Sequence, residues 1–245
     1  NNEQDIANSA YPYAEKVFEN SPLNRVLEQG APGADWQPLN GSISNSGHTV
    51  KNEYLTNTAS DNVVKWKADT YGNCNSDGFY AEKKLFKSVS EDENGNIIEE
   101  FKDFAGKLIL KKSYNTVQNP DGSTTDQELL TYYVYDNFYQ LRFVITPKAF
   151  DLIGTSATFD YNDYKELVYY YDYDSRGRNI MKLIPGSDPV YMVYDKRDRL
   201  VLSQDGELRL SSKWAFTKYD ELNRVVMTGV VEIPTLNRDQ LASSF

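Results

Sequence analysis

The sequence predicts an all-β protein, built as an antiparallel meander of successive hairpins. Its 245 residues include 19 tyrosines and 11 phenylalanines but only three methionines, and aromatic side chains favour pleated strands. Turn signals recur at intervals too short for crossover helices, which argues against parallel β-α-β units. Between these signals apolar and polar residues alternate, whereas helical periodicity is scarce. A sheet with this many strands must curl or spiral to bury one face.

Residues 1–60 differ in composition from the rest of the chain. The stretch "NSPLNRVLEQGAPGADWQPLNGSISNSGHTV" is rich in Gly, Pro, Asn and Ser and has few apolar runs of strand length. It predicts a loop-rich N-terminal segment or cap with a boundary near Asp61, followed by one continuous sheet region over residues 61–245. The opening "NNEQDIANSA" carries neither an initiator Met nor a basic and apolar leader. We therefore expect a segment of a longer protein.

A short internal repeat is the most informative signal. Three copies of Tyr-Asp-x-x-(Gly/Asp/Asn)-Arg begin at tyrosines that lie 21 and 25 residues apart. The copies comprise Tyr173, Asp174, Gly177 and Arg178, then Tyr194, Asp195, Asp198 and Arg199, then Tyr219, Asp220, Asn223 and Arg224. We interpret all twelve as structural turn residues that recur once per hairpin.

The pattern has a direct physical explanation as the tip of a hairpin. In a type I turn, Asp is favoured at the first position because its side chain can accept a backbone N–H. The fourth residue often adopts a positive φ, which suits Gly best and then Asn and Asp. When that residue also opens a strand, the result is a short hairpin loop with a bulge.

The same rule predicts further turns outside the three copies. They lie at residues 21–24, 69–72, 75–78, 92–95, 103–106, 119–122, 151–154 and 203–206. The stretch "YDNFYQ" has Tyr139 in the fourth place, where a bulky residue would be strained. We therefore expect a different turn or a bulge there.

The segments between the turns alternate as half-buried strands do. In "QLRFVITP", Phe143 and Ile145 would lie on the face opposite Arg142. In "KWAFTKYD", Trp214 would lie opposite Lys213. Only the tail over about residues 235–244 has a helical pattern, which predicts one short helix.

Charge and rare residues exclude several functions. The 36 acidic residues outnumber the 26 basic ones, giving a net charge of −10, and binding to duplex nucleic acid requires a positive patch. No apolar run reaches the length of about 18 residues that a membrane-spanning helix needs. Cys74 and His48 each stand alone, so neither a disulfide framework nor a Cys/His zinc cluster can form. We expect no cofactor and no bound metal.

The sequence contains no positive sign of an enzyme, and no P-loop, dinucleotide fingerprint, HExxH or GxSxG motif occurs. Asp174, Asp195 and Asp220 recur at one turn position, whereas a glycosidase needs one pair of facing carboxyls about 5–9.5 Å apart. Asp172 has no counterpart in the other copies, so any chemistry in this region would involve it first. We expect no catalytic residue, and a glycoside hydrolase is the least favoured alternative.

Two stretches suggest calcium, and three tryptophans suggest sugars. The calcium candidates are "DENGN" at residues 92–96 and "NPDGSTTD" at residues 119–126, and the first matches the spacing of a calcium loop only in part. Aromatic rings pack on pyranose rings while amides bind sugar hydroxyls, so Trp36, Trp66 and Trp214 are candidate glycan contacts. Trp214 lies in an alternating strand, where a core position is the alternative, and Trp36 lies in a loop.

The three turn copies resemble the YD repeats of the Rhs family, which also occur in teneurins and in the shell components of bacterial Tc toxins. The run "VFENSPLNRVLEQGAPGADW" is similar to the region that precedes such repeats in large Rhs-like surface proteins of Bacteroidetes. The repeat resemblance covers about residues 169–229 and is thin over residues 92–141.

The resemblance implies a continuous sheet that spirals around a hollow interior and acts as scaffold or container for a C-terminal cargo. We therefore expect a structural segment of a secreted or cell-surface bacterial protein. Its partners would be the remaining repeats of that protein, together with a cargo domain or a surface glycan. This chain has too few repeats to close a shell alone, and it lacks a recognisable core region with a self-cleavage site. A carbohydrate-binding β-module is the alternative.

Overall fold

The computed structural model describes residues 11–38, 47–119, 121–155 and 157–245. Strands dominate this part of the chain, and paired strands run antiparallel to one another. Most hydrogen-bonded neighbours in the sheets are strands that are consecutive in sequence. The predicted class, an all-β antiparallel meander, is confirmed.

The strands are β1 (Glu15–Phe18), β2 (Val26–Gly30), β3 (Val50–Thr56), β4 (Val64–Ala68), β5 (Asn73–Phe79), β6 (Phe86–Glu91), β7 (Ile97–Lys102), β8 (Leu108–Gln118), β9 (Thr124–Tyr135), β10 (Leu141–Ile145), β11 (Thr158–Asp160), β12 (Val168–Tyr173), β13 (Asn179–Leu183), β14 (Val190–Tyr194), β15 (Leu200–Gln204), β16 (Lys213–Tyr219) and β17 (Val225–Glu232). The helices are α1 (Pro147–Ile153), α2 (Gly206–Leu210) and α3 (Arg238–Ala242). Single turns of 3-10 helix occupy Ala34–Trp36 and Ala59–Asp61.

The chain divides into two compact units. The first comprises residues 1–63 and 79–130, and the second comprises residues 64–78 and 131–245. In the first unit β1, β2, β3, β6, β7 and β8 follow one another as hydrogen-bonded antiparallel neighbours. Strands thus run through the described residues of the segment predicted to be loop-rich. Its boundary near Asp61 stays a prediction.

The second unit contains a larger and a smaller sheet. The larger sheet has the order β10-β12-β13-β14-β15-β16-β17, with the end of β9 paired to β10. The smaller sheet has the order β11-β5-β4. An aromatic cluster forms the core of this unit: Phe159 of β11 lies 5.6 Å from Phe143 and 6.0 Å from Trp66, measured between ring centroids. Tyr132 and Tyr170 complete the cluster, and both are buried.

Helix α3 falls within the predicted tail helix and is held by a capping box between Asn237 and Gln240. Two further helices were not predicted. Helix α1 begins after Thr146, whose side chain accepts the N–H of Ala149, and Pro147 occupies its first position. Helix α2 begins after Asp205, which caps the N–H of Leu208. Both helices are short, so their periodicity is too weak to detect.

Three of the predicted turns are wrong. Residues 151–154 are the end of α1, where Gly154 has a φ of +71° and ends the helix. Residues 203–206 lead from β15 into α2. Residues 75–78 lie inside β5, which pairs with β11. In each case the residue types of a turn serve a helix end or a strand instead.

Phe143 and Arg142 were expected to lie on opposite faces of a half-buried strand, which would leave Arg142 exposed. That expectation is also wrong, because Arg142 is only 1% exposed. The pairing of β10 with β9 shifts between Leu141 and Phe143. Such a bulge breaks the strict alternation of side chains. The described part of the chain contains no helix that is long and apolar enough to cross a membrane.

Candidate functional site

Four hairpins of the second unit end in the same kind of turn, and we call their tips the turn ladder. The ladder consists of residues 136–140, 174–178, 195–199 and 220–224, which close β9/β10, β12/β13, β14/β15 and β16/β17. We number the five positions of each turn from its Asp to the residue before the next strand. A different turn or a bulge was predicted at residues 136–140. The turn is of the same kind, because the same backbone bonds are present, but a bulge does follow it between Leu141 and Phe143.

The Asp at position one organises each turn. The backbone N of Asp174 donates to the Arg178 carbonyl at 3.0 Å, and the Asp174 carbonyl accepts from Gly177 N at 2.9 Å. Its Oδ1 atom accepts from the backbone N of Arg176 at 2.9 Å and of Arg178 at 3.0 Å. Asp136, Asp195 and Asp220 repeat this arrangement. One carboxylate therefore satisfies the backbone donors of the tip.

Position four is left-handed in every turn of the ladder. The φ angles are +59° at Tyr139, +77° at Gly177, +62° at Asp198 and +62° at Asn223. Gly, Asp and Asn tolerate this region, whereas a bulky side chain costs free energy there. The turn at residues 136–140 therefore forms in spite of its fourth residue, because its Asp still makes the bonds that define it.

Replacing Tyr139 by Asn should raise the free energy of unfolding by about 1 kcal/mol, because Asn is less strained at positive φ. Little burial is lost, since Tyr139 is exposed. Urea denaturation measures the change. As the control, Tyr71→Asn alters an exposed tyrosine whose φ is not positive, and it should stay within about 0.5 kcal/mol of wild type. Equal effects of the two substitutions would contradict strain at Tyr139.

The residue at position five binds the second carboxylate oxygen. Nε of Arg178, Arg199 and Arg224 donates to Oδ2 of Asp174, Asp195 and Asp220 respectively, at 2.7 Å in each turn. Gln140 occupies this position in the first turn and supplies no guanidinium. Asp136 Oδ2 is correspondingly buried without a hydrogen-bond partner in the described structure.

Two of these arginines also bind the next turn of the ladder. Arg178 Nη1 donates to the Asp195 carbonyl and to Asp198 Oδ1, both at 2.9 Å. Arg199 Nη1 donates to the Asp220 carbonyl at 3.3 Å and to Asn223 Oδ1 at 3.0 Å. Each guanidinium thus joins positions one and four of the following hairpin. Arg176 adds a second bond to Asp198, at 3.0 Å.

The tyrosine before each Asp completes the link between hairpins. The hydroxyl of Tyr194 donates to the Asn179 carbonyl at 2.9 Å, and that of Tyr219 donates to the Leu200 carbonyl at 3.0 Å. Tyr173 makes the equivalent bond to the Leu141 carbonyl at 3.0 Å. The guanidinium carbon of Arg178 lies 5.1 Å from the Tyr194 ring centroid, a distance typical of a cation–π contact. Arg199 lies 4.9 Å from Tyr219 in the same way.

These bonds change the pKa of three carboxyls of the ladder, those of Asp174, Asp195 and Asp220. Burial alone would raise the pKa of Asp174 and Asp195, but the hydrogen bonds from Arg178 and Arg199 and from the backbone hold it below its usual value. The pKa of Asp220 is also lowered, first by the backbone and side chain of Arg224. In every case the charged carboxylate is the stabilised form.

The lowered values predict acid sensitivity. A carboxyl whose pKa is lower in the folded state stabilises the fold above its unfolded pKa of about 3.9 and loses that contribution as the pH falls through the folded pKa. We expect the melting temperature to fall as the pH drops from 5 to 2. The double variant Asp174→Asn/Asp195→Asn, which lacks the two titrating groups, should show a smaller fall. An equally steep fall in wild type and variant would contradict a contribution from the ladder.

Turns outside the ladder use the same Asp bonds without the arginine. Asp92 Oδ1 accepts from the backbone N of Asn94 and Asn96, and its Oδ2 accepts from Asn96 Nδ2 at 2.7 Å. Both oxygens of the candidate calcium ligand are thus already bound. The described residues contain no group of three or more His, Cys, Asp or Glu side chains that could hold a metal ion.

Asp172 is the partner of a buried arginine. Its Oδ1 atom accepts from Arg142 Nη2 at 2.9 Å and from the backbone N of Tyr173 at 2.8 Å. Arg142 Nη2 also donates to the Tyr170 hydroxyl at 3.0 Å. Arg142 is 1% exposed as a side chain and Asp172 is 30% exposed. No local pattern indicates this pair, because its members lie on different strands.

The three tryptophans occupy different environments. Trp66 belongs to the aromatic cluster, and Trp214 packs with Val193, Leu202 and Leu241; both rings are buried. A buried ring offers no face to a sugar. Trp36 is 42% exposed and lies 5.7 Å from the His48 ring.

The first unit contains a charged cluster that sequence analysis missed. Lys87 Nζ lies 2.8 Å from Asp61 Oδ1 and 2.9 Å from Glu99 Oε2, and it also lies over the Phe101 ring. Lys112 Nζ donates to the Asp61 carbonyl at 3.2 Å. Burial alone would lower the pKa of Lys87, but the two carboxylates raise it above its ordinary value. The ammonium is therefore held charged between strands, which suits a structural ion pair.

Asp172 also lines an open groove of about 480 Å³ in the second unit, together with Asp239, Arg209 and Trp214. Asp172 is paired with Arg142, and Asp239 is paired with Arg238. Both carboxylates of this groove are thus engaged by arginine side chains. Every described carboxyl with a clear pKa shift is shifted downward: Glu19, Asp61, Asp69, Asp77, Asp92, Asp121, Asp174, Asp195 and Asp220.

The chain was compared with protein families, curated proteins and solved structures. Residues 1–56 match a family described as a domain of unknown function (DUF6443). No curated protein matches the chain. Similar solved structures are the crystal structures of TcdB2-TccC3-Cdc42, TcdB2-TccC3-TEV and TcdB2-TccC3, with 14%, 13% and 14% sequence identity and a TM-score of 0.47 each. Each similarity covers 89% of this chain and 10% of the solved chain. The chain therefore spans about a tenth of the solved chains it matches.

Proposed function

We propose that this chain is a non-enzymatic structural segment of a YD-repeat protein of the Rhs type, secreted or on the surface of a bacterium. The turn ladder is the observation that carries the proposal. Arg178 and Arg199 each bind their own turn and the next one. A residue that joins successive hairpins in this way serves the continuity of the sheet. The partners of this segment are then the remaining repeats of the same protein.

The chemistry of the ladder supports a scaffold over a binding or catalytic site. Asp174 and Asp195 are already bound by two backbone N–H groups and by a guanidinium. A catalytic carboxylate needs a free oxygen that can reach a substrate, and a carboxylate that already accepts these three hydrogen bonds is a poor nucleophile. The repetition of one geometry along the ladder also fits a structural unit better than a single site.

Enclosure or display of a C-terminal cargo is the finer part of the proposal, and it is supported by the resemblance of the turn copies to YD repeats. Limited proteolysis of the longer protein that contains this chain tests it. Enclosure predicts that the segment after the repeats resists protease until the ladder is weakened by Arg178→Gln and Arg199→Gln. Cleavage at equal rates in wild type and in this double variant would contradict enclosure.

A substitution of nearly equal size and shape that removes one charge from the ladder distinguishes a scaffold from an active site without any known substrate. In Asp195→Asn the amide oxygen can still accept backbone N–H groups, but the ion pair with Arg199 is lost. Because the pair is largely shielded from solvent, we expect the free energy of unfolding to fall by about 1 kcal/mol, between the values of exposed and buried pairs. Urea denaturation measures this. Replacing a strained catalytic carboxylate would instead leave stability unchanged or raised.

Asp220→Asn is the matched control for that experiment. Asp220 makes the same bonds within its turn, but its partner Arg224 is exposed and binds no further turn in the described structure. The loss should therefore be smaller than for Asp195→Asn. A scaffold in which hairpins support one another predicts this order, and the reverse order would contradict it.

Carbohydrate binding is the alternative function, and Trp36 is the residue on which it is best tested. Its exposed ring lies beside His48 in the first unit, and an exposed aromatic face next to a hydrogen-bonding ring suits a sugar. A glycan array tests binding, with Trp36→Ala as the variant and Tyr71→Ala as an exposed aromatic control. Hits that depend on Trp36 alone would favour this alternative. An array without hits would count against it.

A further inference from the structure

Strand β17 has a free edge of unusual character. In the part of the chain that the structure describes, β17 pairs with β16 and with no other strand. All eight of its residues are exposed, among them Val225, Met227 and Val230. An exposed apolar edge strand is a template for pairing with a further strand.

Arg224 lies at the tip beside this edge. In the described structure it lacks the hydrogen bonds to a following turn that Arg178 and Arg199 make. Like Arg178 and Arg199, it donates through its backbone N and through Nε to the Asp of its own turn. The side chains of Arg178 and Arg199 are 22% exposed because each lies against the following hairpin, whereas that of Arg224 is 73% exposed. Arg224 keeps the Nε bond to its own Asp at the same 2.7 Å, so its guanidinium is held at the tip where a following hairpin would lie.

The residue type at position four of a turn correlates with the residue type at position five of the preceding turn. In the turn after Arg178, position four is Asp198, and in the turn after Arg199 it is Asn223. Each of these side chains accepts a hydrogen bond from the arginine of the preceding turn. Gln140, which supplies no guanidinium, is followed by Gly177. A Cβ atom added at Gly177 would lie 3.0 Å from Gln140 Nε2, so the amide already occupies that space. Arginine at position five thus accompanies an acceptor side chain at position four of the next turn.

We propose that the free edge of β17 binds a strand-turn-strand segment whose turn carries Tyr-Asp at its start and Asp or Asn at position four. Arg224 selects this partner by donating to the carbonyl of its Asp and to the side chain at position four, with the partner tyrosine beneath the guanidinium. The partner is chosen by continuity with the two interfaces that Arg178 and Arg199 already form. This inference rests on the proposed function and specifies the next repeat.

The probe is a synthetic peptide with the sequence of residues 213–232, which is the β16/β17 hairpin and carries both Tyr219 and Asn223. Cysteines added at its two ends close it by a disulfide, because an isolated hairpin is only marginally stable. Binding to the full chain is measured by fluorescence anisotropy of the labelled peptide. Hydrogen exchange of the β17 backbone amides locates the site, and we expect these amides to become protected.

Two changes test the role of Arg224. Arg224→Gln in the chain should weaken binding about tenfold, because a hydrogen bond to a charged group is lost. A peptide with Gly in place of Asn223 keeps the turn but removes the acceptor, and it should bind about tenfold more weakly as well. The peptide change should have no further effect on the Arg224→Gln chain, since both remove the same bond. Lys196→Gln removes one positive charge from an exposed position of the ladder and should leave binding unchanged.

Three results would overturn the inference. Absence of peptide binding is one, and equal binding of the Asn and Gly peptides is another, since the edge would then pair through its backbone alone. The third is a dimer of the chain, detected by sedimentation, that protects β17 and excludes the peptide. The Asp195→Asn experiment is independent of these results. A destabilised Asp195→Asn variant with no peptide binding would leave the scaffold proposal standing and refute only the inference about Arg224.

Discussion

Replacing Phe159 by alanine should lower the free energy of unfolding by about 3–5 kcal/mol, the range measured for removing a buried aromatic ring. Phe159 is buried at the centre of the aromatic cluster, with Trp66, Phe143 and Tyr164 edge-on at 5.5–6.0 Å. Its strand, β11, has three residues and, within the described residues, pairs with β5 alone. A strand this short cannot shift to fill the cavity without losing its pairing.

Urea denaturation gives the change in stability, and hydrogen exchange shows where it acts. We expect faster exchange of the backbone amides of β4, β5 and β11, since the smaller sheet packs on this ring. Phe138→Ala is the control, because Phe138 lies in a ladder turn and is exposed; it should stay within about 0.5 kcal/mol of wild type. A loss below about 1 kcal/mol for Phe159→Ala would mean that the cluster repacks, and would contradict a rigid aromatic core.

The hairpins of this protein could be predicted from the sequence because their determinants are local. An Asp that accepts backbone N–H groups two and four residues later, followed by a residue that tolerates positive φ, specifies the turn at 174–178 without outside help. The turn at 136–140 shows that the Asp is the stronger of the two determinants, since it forms even with Tyr139 at position four. The residue type at position four is therefore a weaker determinant of the turn than the Asp at position one.

The remaining features depend on residues far apart in the chain. The pairing of β5 with β11 joins residues 73–75 with 158–160, and no local pattern indicates it. The bond from Arg178 to Asp198 depends on two hairpins lying side by side. The presence of Arg and Asp in consecutive copies was a signal that could have suggested it. Asp172 was noticed as an exception to the repeat, but its partner could not be identified.

Asp172→Ala should cost about 3 kcal/mol, because it leaves the Arg142 guanidinium buried without its counter-ion. Arginine cannot lose its proton to escape this penalty. The Tyr170 hydroxyl remains as an acceptor for Nη2, but Arg142 Nε is already buried without a partner in the described structure. Removal of the carboxylate therefore leaves the buried guanidinium without the ion pair that offsets its desolvation. The loss is large even though Asp172 itself is partly exposed.

Arg142→Met should cost much less, about 1 kcal/mol or below, because an apolar side chain of similar length can fill the site and Asp172 can be hydrated. The double variant Asp172→Ala/Arg142→Met should then be no less stable than Arg142→Met alone. Urea denaturation of the three variants measures the order. A larger loss for Arg142→Met than for Asp172→Ala would show that the ring faces of Tyr170 and Tyr173 suffice to hold the charge. The expected order instead gives Asp172 a structural reason to differ from Val193 and Lys218, the residues at the same place in the other copies. Among the three copies, as far as the structure describes the chain, it is the hairpin beginning with β12 that lies next to a buried arginine.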